Sequence, residues 1–233
     1  MTEPVLRIRK MRKSYQGLRP LRIEDLVVRE GDRVALSGLD AGAAEVLVNL
    51  VTGASVPDEG EVAVLGSPTA SITDGDAWLA SLDRFGIVSP RAVLLDSVSL
   101  LQNLAMPFSL DIEPMSRELA SKAAALARDA GIAEALLEQP VAMLTAVTRM
   151  RAQLARAVAL SPSLLILEHP TAAIDVSDRR AFGEDVRRVV SPRRLATLII
   201  SEDDEFSSAA AERRLRLNGA TGELKARRRF FGF

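Results

Sequence analysis

Cysteine is absent from the sequence, and histidine occurs once, at His169. Without cysteine there is no disulfide, no thiolate nucleophile and no zinc–thiolate site. A lone histidine excludes a multi-histidine metal centre. Charge of one sign is not in surplus: 30 Lys and Arg face 31 Asp and Glu, a net charge of −1. A general nucleic-acid binder needs a basic excess to neutralise phosphates, so nucleic acid is not an expected partner. No apolar run approaches the roughly 20 residues that span a bilayer. The first ten residues, MTEPVLRIRK, lack the apolar core of a secretion signal, so the expected location is cytoplasmic.

What is present suits a folded α/β chain. Of its 233 residues, 48% are hydrophobic and 26% charged, enough to bury a core and keep a soluble surface. Residues 5–9 alternate as a strand, and 21–29 form a second strand ended by Glu30-Gly31-Asp32. Arg33–Ser37 is a short apolar strand that runs into Gly38, and helical pattern follows from about Ala43 to Leu50. Strand, glycine-containing turn and helix is the layout of a phosphate-binding loop.

A hairpin is expected around residues 61–65, helix over 76–83 and a strand at Phe85–Val88. Residues 97–138 read as mostly helical with breaks near Pro107 and Pro114, and helix returns at 148–160. Leu164–Leu167 and Ala196–Ile200 read as buried parallel strands flanking a helix at 178–190. Trp78, Phe85, Phe182 and Phe206 fall in core patterns, and Arg149, Arg151 and Arg156 read as a solvated helix face. The tail 225–233 combines four cations with three phenylalanines, a composition that suits anionic lipid, a partner surface or a frayed end.

Leu164–Asp175 reads LLILEHPTAAID. It resembles the Walker B and D-loop segment of ABC ATPases, with Pro170, Thr171, Ala173 and the D-loop Asp175 matching. Residues 152–160 are similar to the helix after that family's signature. Residues 50–62 resemble its hairpin after Walker A, and 213–219 resemble its final hairpin. The resemblance runs in the family's order from Leu6 to Leu224. It implies an ABC-type P-loop nucleotide-binding-domain fold, with a mostly parallel core sheet, an antiparallel β-subdomain and a helical subdomain near 97–160, together making one domain over 1–233.

The departures from the family pattern cluster at its nucleotide site. Where the resemblance implies Gly-x-x-Gly-x-Gly-Lys-Ser/Thr, the chain has Gly38-Leu39-Asp40-Ala41-Gly42-Ala43-Ala44-Glu45. Ala44 stands for the phosphate-binding lysine and Glu45 for the magnesium-binding hydroxyl. Ala41 and Ala43 stand for glycines that let backbone N–H groups close on phosphate. A carboxylate about 4 Å from a phosphate charge costs roughly 4 kcal/mol at an effective dielectric near 20. Micromolar affinity is worth about 8 kcal/mol.

Glu45 has two readings. With Gly42 as N-cap it reaches the third helical position and satisfies the helix N-terminus, helped by Asp40; otherwise both acids are solvated. Glu168 falls at the magnesium-associated aspartate and His169 at the catalytic glutamate. His169 is either a neutral structural histidine or a general base. Pro90 falls at the Q-loop glutamine and Glu202 at the switch histidine. The signature becomes Leu144-Thr145-Ala146-Val147-Thr148, and Tyr15 matches the aromatic that stacks on adenine, or packs on the surface.

The expected function is therefore a degenerate ATP-binding-cassette subunit of a bacterial-type transporter, structural or regulatory, with little ATP binding or hydrolysis. Residues 103–107, Asn-Leu-Ala-Met-Pro, resemble the segment after the Q-loop in lipoprotein- and lipid-export systems. Expected partners are transmembrane subunits, an intact ATPase subunit, or a second copy pairing without nucleotide. No cofactor is expected; ATP and magnesium enter only in the alternative, a divergent ATPase using Glu168 and His169. A second alternative is a soluble interaction module unrelated to transport.

Overall fold

A computed structural model describes residues 3–72 and 74–227. Strands β1 (Leu6–Lys13) and β2 (Leu21–Val28) are antiparallel, and β1 also pairs antiparallel with β4 (Glu59–Val64). The short β5 (Ser67–Pro68) completes a four-stranded sheet of order β2-β1-β4-β5. The expected early hairpin is thus β4 and β5.

The second sheet has six strands. Five are parallel neighbours: β9 (Arg213–Leu217), β3 (Arg33–Ser37), β8 (Ala196–Ile200), β7 (Leu164–Glu168) and β6 (Phe85–Val88). Only the edge strand β10 (Leu224–Ala226) is antiparallel. Every residue of β7 and β8 is buried, as expected for strands covered on both faces.

The period-two alternation of these strands divides the core. Leu164 and Ile166 join Val34, Leu36, Leu198 and Ile200 on one face, beneath the first sheet and helix α1 (Ala41–Val51). Leu165, Leu167 and Ile199 point to the opposite face, with helices α3 (Leu100–Ala105), α4 (Arg117–Asp129), α5 (Ala146–Val158), α6 (Val176–Val190) and α7 (Asp204–Ala210). Helix α2 (Gly75–Ser81) lies between β5 and β6 in sequence. Phe182 and Phe206 are fully buried and stacked, with centroids 5.6 Å apart. Trp78 is half-buried and donates its indole N–H to the Thr52 carbonyl at 3.1 Å.

The expected breaks near Pro107 and Pro114 are present: residues 106–116, between α3 and α4, are not α-helical. One expectation needs correction: the arginines of α5 are not simply solvated. Arg149 pairs with Asp96 at 2.5 Å, and Arg151 with the buried Asp185 at 2.6 Å. Arg156 is desolvated enough to lower its pKa. Of the basic tail, Lys225 to Arg227 are described; the rest of the segment, Arg228–Phe233, lies outside the described residues. No described helix is long and apolar enough to cross a membrane.

Candidate functional site

The C-terminal ends of β3, β7 and β8 converge on the turn Gly38–Asp40. Gly38 has φ +90, and a Cβ there would sit 2.7 Å from the Leu217 carbonyl oxygen, so the turn requires glycine. Helix α1 then begins at Ala41, earlier than expected. Its N-cap is Asp40, not Gly42: Asp40 Oδ1 accepts the Ala43 N–H at 2.8 Å, and the Asp40 carbonyl accepts the Ala44 N–H at 2.9 Å. Glu45 consequently sits beyond the first turn and does not cap the helix.

Two further amides of the turn have a partner as well. Glu202, at the end of β8, places Oε1 on the N–H groups of Gly38 and Leu39, the latter at 3.3 Å. Two of the chain's own carboxylates, Asp40 and Glu202, therefore hold N–H groups of this turn, among them that of Ala43, at a position the resemblance gives to a phosphate-facing glycine. Ala43 and Ala44 face inward and are buried against Leu47 and the core beneath α1. Tyr15 closes over this turn. Its ring lies 3.5 Å from the position of a Cβ on Gly42, and burial followed by the Asp40 charge raises the phenol pKa.

The second half of the site is an ion-pair cluster organised by Arg91, which the sequence reading missed. Ser89 Oγ accepts the Arg91 N–H at 3.1 Å, and the Ser89 carbonyl accepts the Ala92 N–H at 3.0 Å. Gln153 of α5 donates to the Ala92 carbonyl at 2.9 Å and ties this turn to the helices. The turn projects Arg91 between Glu168 and Glu45. Arg91 meets both oxygens of Glu168, at 3.1 and 2.7 Å, and Glu45 Oε2 at 3.3 Å. Pro90 itself is exposed and makes no side-chain hydrogen bond in this cluster. A usable signal was present: the resemblance assigns two acids, Glu45 and Glu168, to one site, which calls for a cation, and Arg91 directly follows Pro90.

Glu168 is 3% exposed, and its pKa is raised, burial outweighing the opposing pull of Arg91. With a guanidinium between them, Glu45 and Glu168 do not fit magnesium: the cation position is taken by Arg91, and the described residues hold no cluster of three or more metal-ligating side chains. His169 is bent into φ +43, and its N–H donates to the Ile200 carbonyl at 2.8 Å. Its Nε2 is buried without a hydrogen-bond partner.

The signature-equivalent segment lies at the start of α5. Thr145 is the N-cap, accepting the Thr148 N–H at 3.3 Å, and its hydroxyl lies 2.9 Å from that of Thr148. Leu144 and Thr148 are buried; Ala146 and Val147 are half-exposed on the first turn. Asp175 precedes α6 and is exposed, without a side-chain capping bond. The structure thus gathers Tyr15, Gly38–Glu45 and Glu202 on one side and Glu45, Arg91 and Glu168 on the other. No described hydrogen bond or ion pair links Leu144–Thr148 or Asp175 to either group.

Residues 22–172 match the family model described as ABC transporter. Among curated relatives, the lipoprotein-releasing system ATP-binding protein LolD of Alcanivorax borkumensis is 28% identical, the match covering 88% of this chain and 91% of the relative. The aliphatic sulfonates import ATP-binding protein SsuB 1 of Nocardia farcinica is 31% identical, over 91% of this chain and 78% of the relative. Among solved structures, the dimeric structure of MJ0796, a bacterial ABC transporter cassette, superposes with a TM-score of 0.75 at 20% identity, covering 98% of this chain and all of that one.

Proposed function

The chain belongs to the ABC transporter family of ATP-binding subunits, and from that premise we propose that it is a non-hydrolysing member with a structural or regulatory role. The observation that carries this reading is the occupancy of the phosphate and cation positions by the chain's own side chains. Glu202 and Asp40 hold the N–H groups of Gly38, Leu39 and Ala43, and Arg91 sits between Glu45 and Glu168. A nucleoside triphosphate would have to displace two carboxylates from N–H groups while facing their charge. Like charges about 4 Å apart oppose it by roughly 4 kcal/mol each at an effective dielectric near 20.

Hydrolysis has no support from the site either. The only imidazole, at His169, has its Nε2 buried rather than presented to a nucleophile. At the signature-equivalent helix, the N-terminal amide of Thr148 is already taken by Thr145. Such a chain would dock on transmembrane subunits at the cytoplasmic face, beside an intact ATPase subunit or a second copy. Pairing of two copies would not depend on nucleotide.

Titration of the purified chain with Mg-ATP tests the reading. The expected dissociation constant is weaker than about 1 mM, and phosphate release should equal the buffer rate. Micromolar binding, or turnover lost in Glu168→Ala, would overturn it. Failure to co-purify with membrane subunits would instead favour a soluble interaction module.

A further inference from the structure

A second cluster of charge lies away from this site, on the edge of the large sheet. A pocket of about 420 Å³ is lined by Arg33, Arg187, Ser208, Glu212, Arg214 and Arg227, together with small residues of α7. Four guanidiniums face one carboxylate. We propose that this pocket binds a small anion carrying phosphate groups.

The floor of the pocket is built rather than incidental. Arg33 has a side chain only 12% exposed, held by the Ala210 carbonyl at 3.1 Å, Ser191 Oγ at 3.1 Å and Glu212 at 2.6 Å. That pairing consumes the carboxylate of the pocket. Arg227 pairs with Asp204 at the pocket's margin. Arg214 and Arg187 form no ion pair among the described residues. The Arg214 carbonyl accepts the Arg227 N–H at 2.8 Å, which fixes these two arginines side by side.

Arg187 stands in the last turn of α6, where the helix dipole favours a cation and partly accounts for it. Arg214 has no such explanation. It lies on a strand, half-buried, and also borders a small recess of about 10 Å³ shared with Arg227. Ser37 and Ser207 line that recess, each at least nine-tenths buried with a hydroxyl that has no hydrogen-bond partner. Asp204 lines the recess too, and its carboxylate is paired with Arg227. Arg214 thus joins the recess with its unpaired hydroxyls to the pocket where Arg187 is also unpaired, and such guanidiniums suit an oxyanion, because guanidinium forks bind phosphate through two parallel N–H donors. The concavity favours a small ligand over an extended surface. The phosphate could belong to a free metabolite or to a lipid headgroup.

Inorganic pyrophosphate, titrated calorimetrically into the full chain at low salt, tests the proposal. Binding should weaken by about tenfold or more in Arg187→Gln/Arg214→Gln. It should hold in Arg9→Gln/Arg128→Gln, which removes the same charge elsewhere. Thermal unfolding confirms that each variant is folded. A parallel arm measures flotation with phosphatidylcholine vesicles containing phosphatidylglycerol. Pyrophosphate binding without flotation assigns a free phosphorylated molecule; flotation lost in the pocket variant assigns a headgroup. Neither probe binding, or equal loss in the control variant, would overturn the proposal.

Discussion

Arg91 and Glu168 are joined by two parallel hydrogen bonds, Nη1 to Oε1 at 3.1 Å and Nη2 to Oε2 at 2.7 Å. The acid end of that pair is buried and the basic end is nearly half exposed. Burial still raises the Glu168 pKa, so the pair lowers an electrostatic cost that it does not abolish.

Removing the cation exposes that cost. Arg91→Ala should destabilise the fold by about 2 kcal/mol at neutral pH, less than for a fully buried pair because Arg91 reaches solvent. The sign with pH follows from the raised pKa. Below the unfolded value Glu168 is protonated in both states and the loss is small. As pH rises through the folded value the carboxylate ionises without a partner, and the loss grows. Urea unfolding at pH 5 and pH 8 measures it; an equal deficit at both would contradict the assignment. Glu168→Gln in the Arg91→Ala background should restore stability at pH 8.

The turn at Gly38 predicts what loop repair can achieve. Ala43→Gly, Ala44→Lys and Glu45→Ser restore the family's residues, but Ala44 is fully buried and Glu202 still holds the turn. That triple variant should bind Mg-ATP no tighter than about 1 mM. Adding Glu202→Gln and Arg91→Gln should improve binding about tenfold or more, without turnover. Equilibrium titration decides between them, and micromolar binding by the triple variant alone would show that the internal carboxylates are not the barrier.

Asp58 marks an acid-sensitive joint between β1 and β4. Its carboxylate accepts the Ser14 N–H at 2.6 Å and meets Lys13 Nζ at 3.0 Å. The backbone bond first, then the lysine, lower its pKa to about 2. The stabilisation is therefore present above the ordinary value near 3.8 and lost as pH falls from there towards 2. Melting temperatures between pH 5 and pH 2 should fall more steeply in the wild type than in Asp58→Asn. Parallel curves would sink this account.

Ile166 lies at the centre of β7 with no exposure. Ile166→Asp would bury a charge between two covered faces and should unfold the chain at 25 °C, a loss of about 4 kcal/mol or more. Circular dichroism is the check, and a cooperative melt near that of the wild type would contradict the strand's central position.

The local pattern of residues was enough to determine the parallel core. The apolar runs Leu164–Leu167 and Ala196–Ile200 admit few roles other than buried strands, and Gly38 after Arg33–Ser37 marked the turn into α1. Sequence also located the altered residues Ala44, Glu45, Glu168 and Glu202, because their order along the chain matched a known spacing. It did not say which charges would meet. Arg91 lies 46 residues after Glu45 and 77 before Glu168, and Glu202 lies 164 after Gly38. Those separations collapse only when β3, β7 and β8 align in register and bring their ends together. The cap was settled the same way: the sequence pattern placed Gly42 at the N-cap, and the backbone's entry into α1 at Ala41 put Asp40 there instead. Charge pairing and capping depend on distances of about 3 Å, and only the packed sheet sets these.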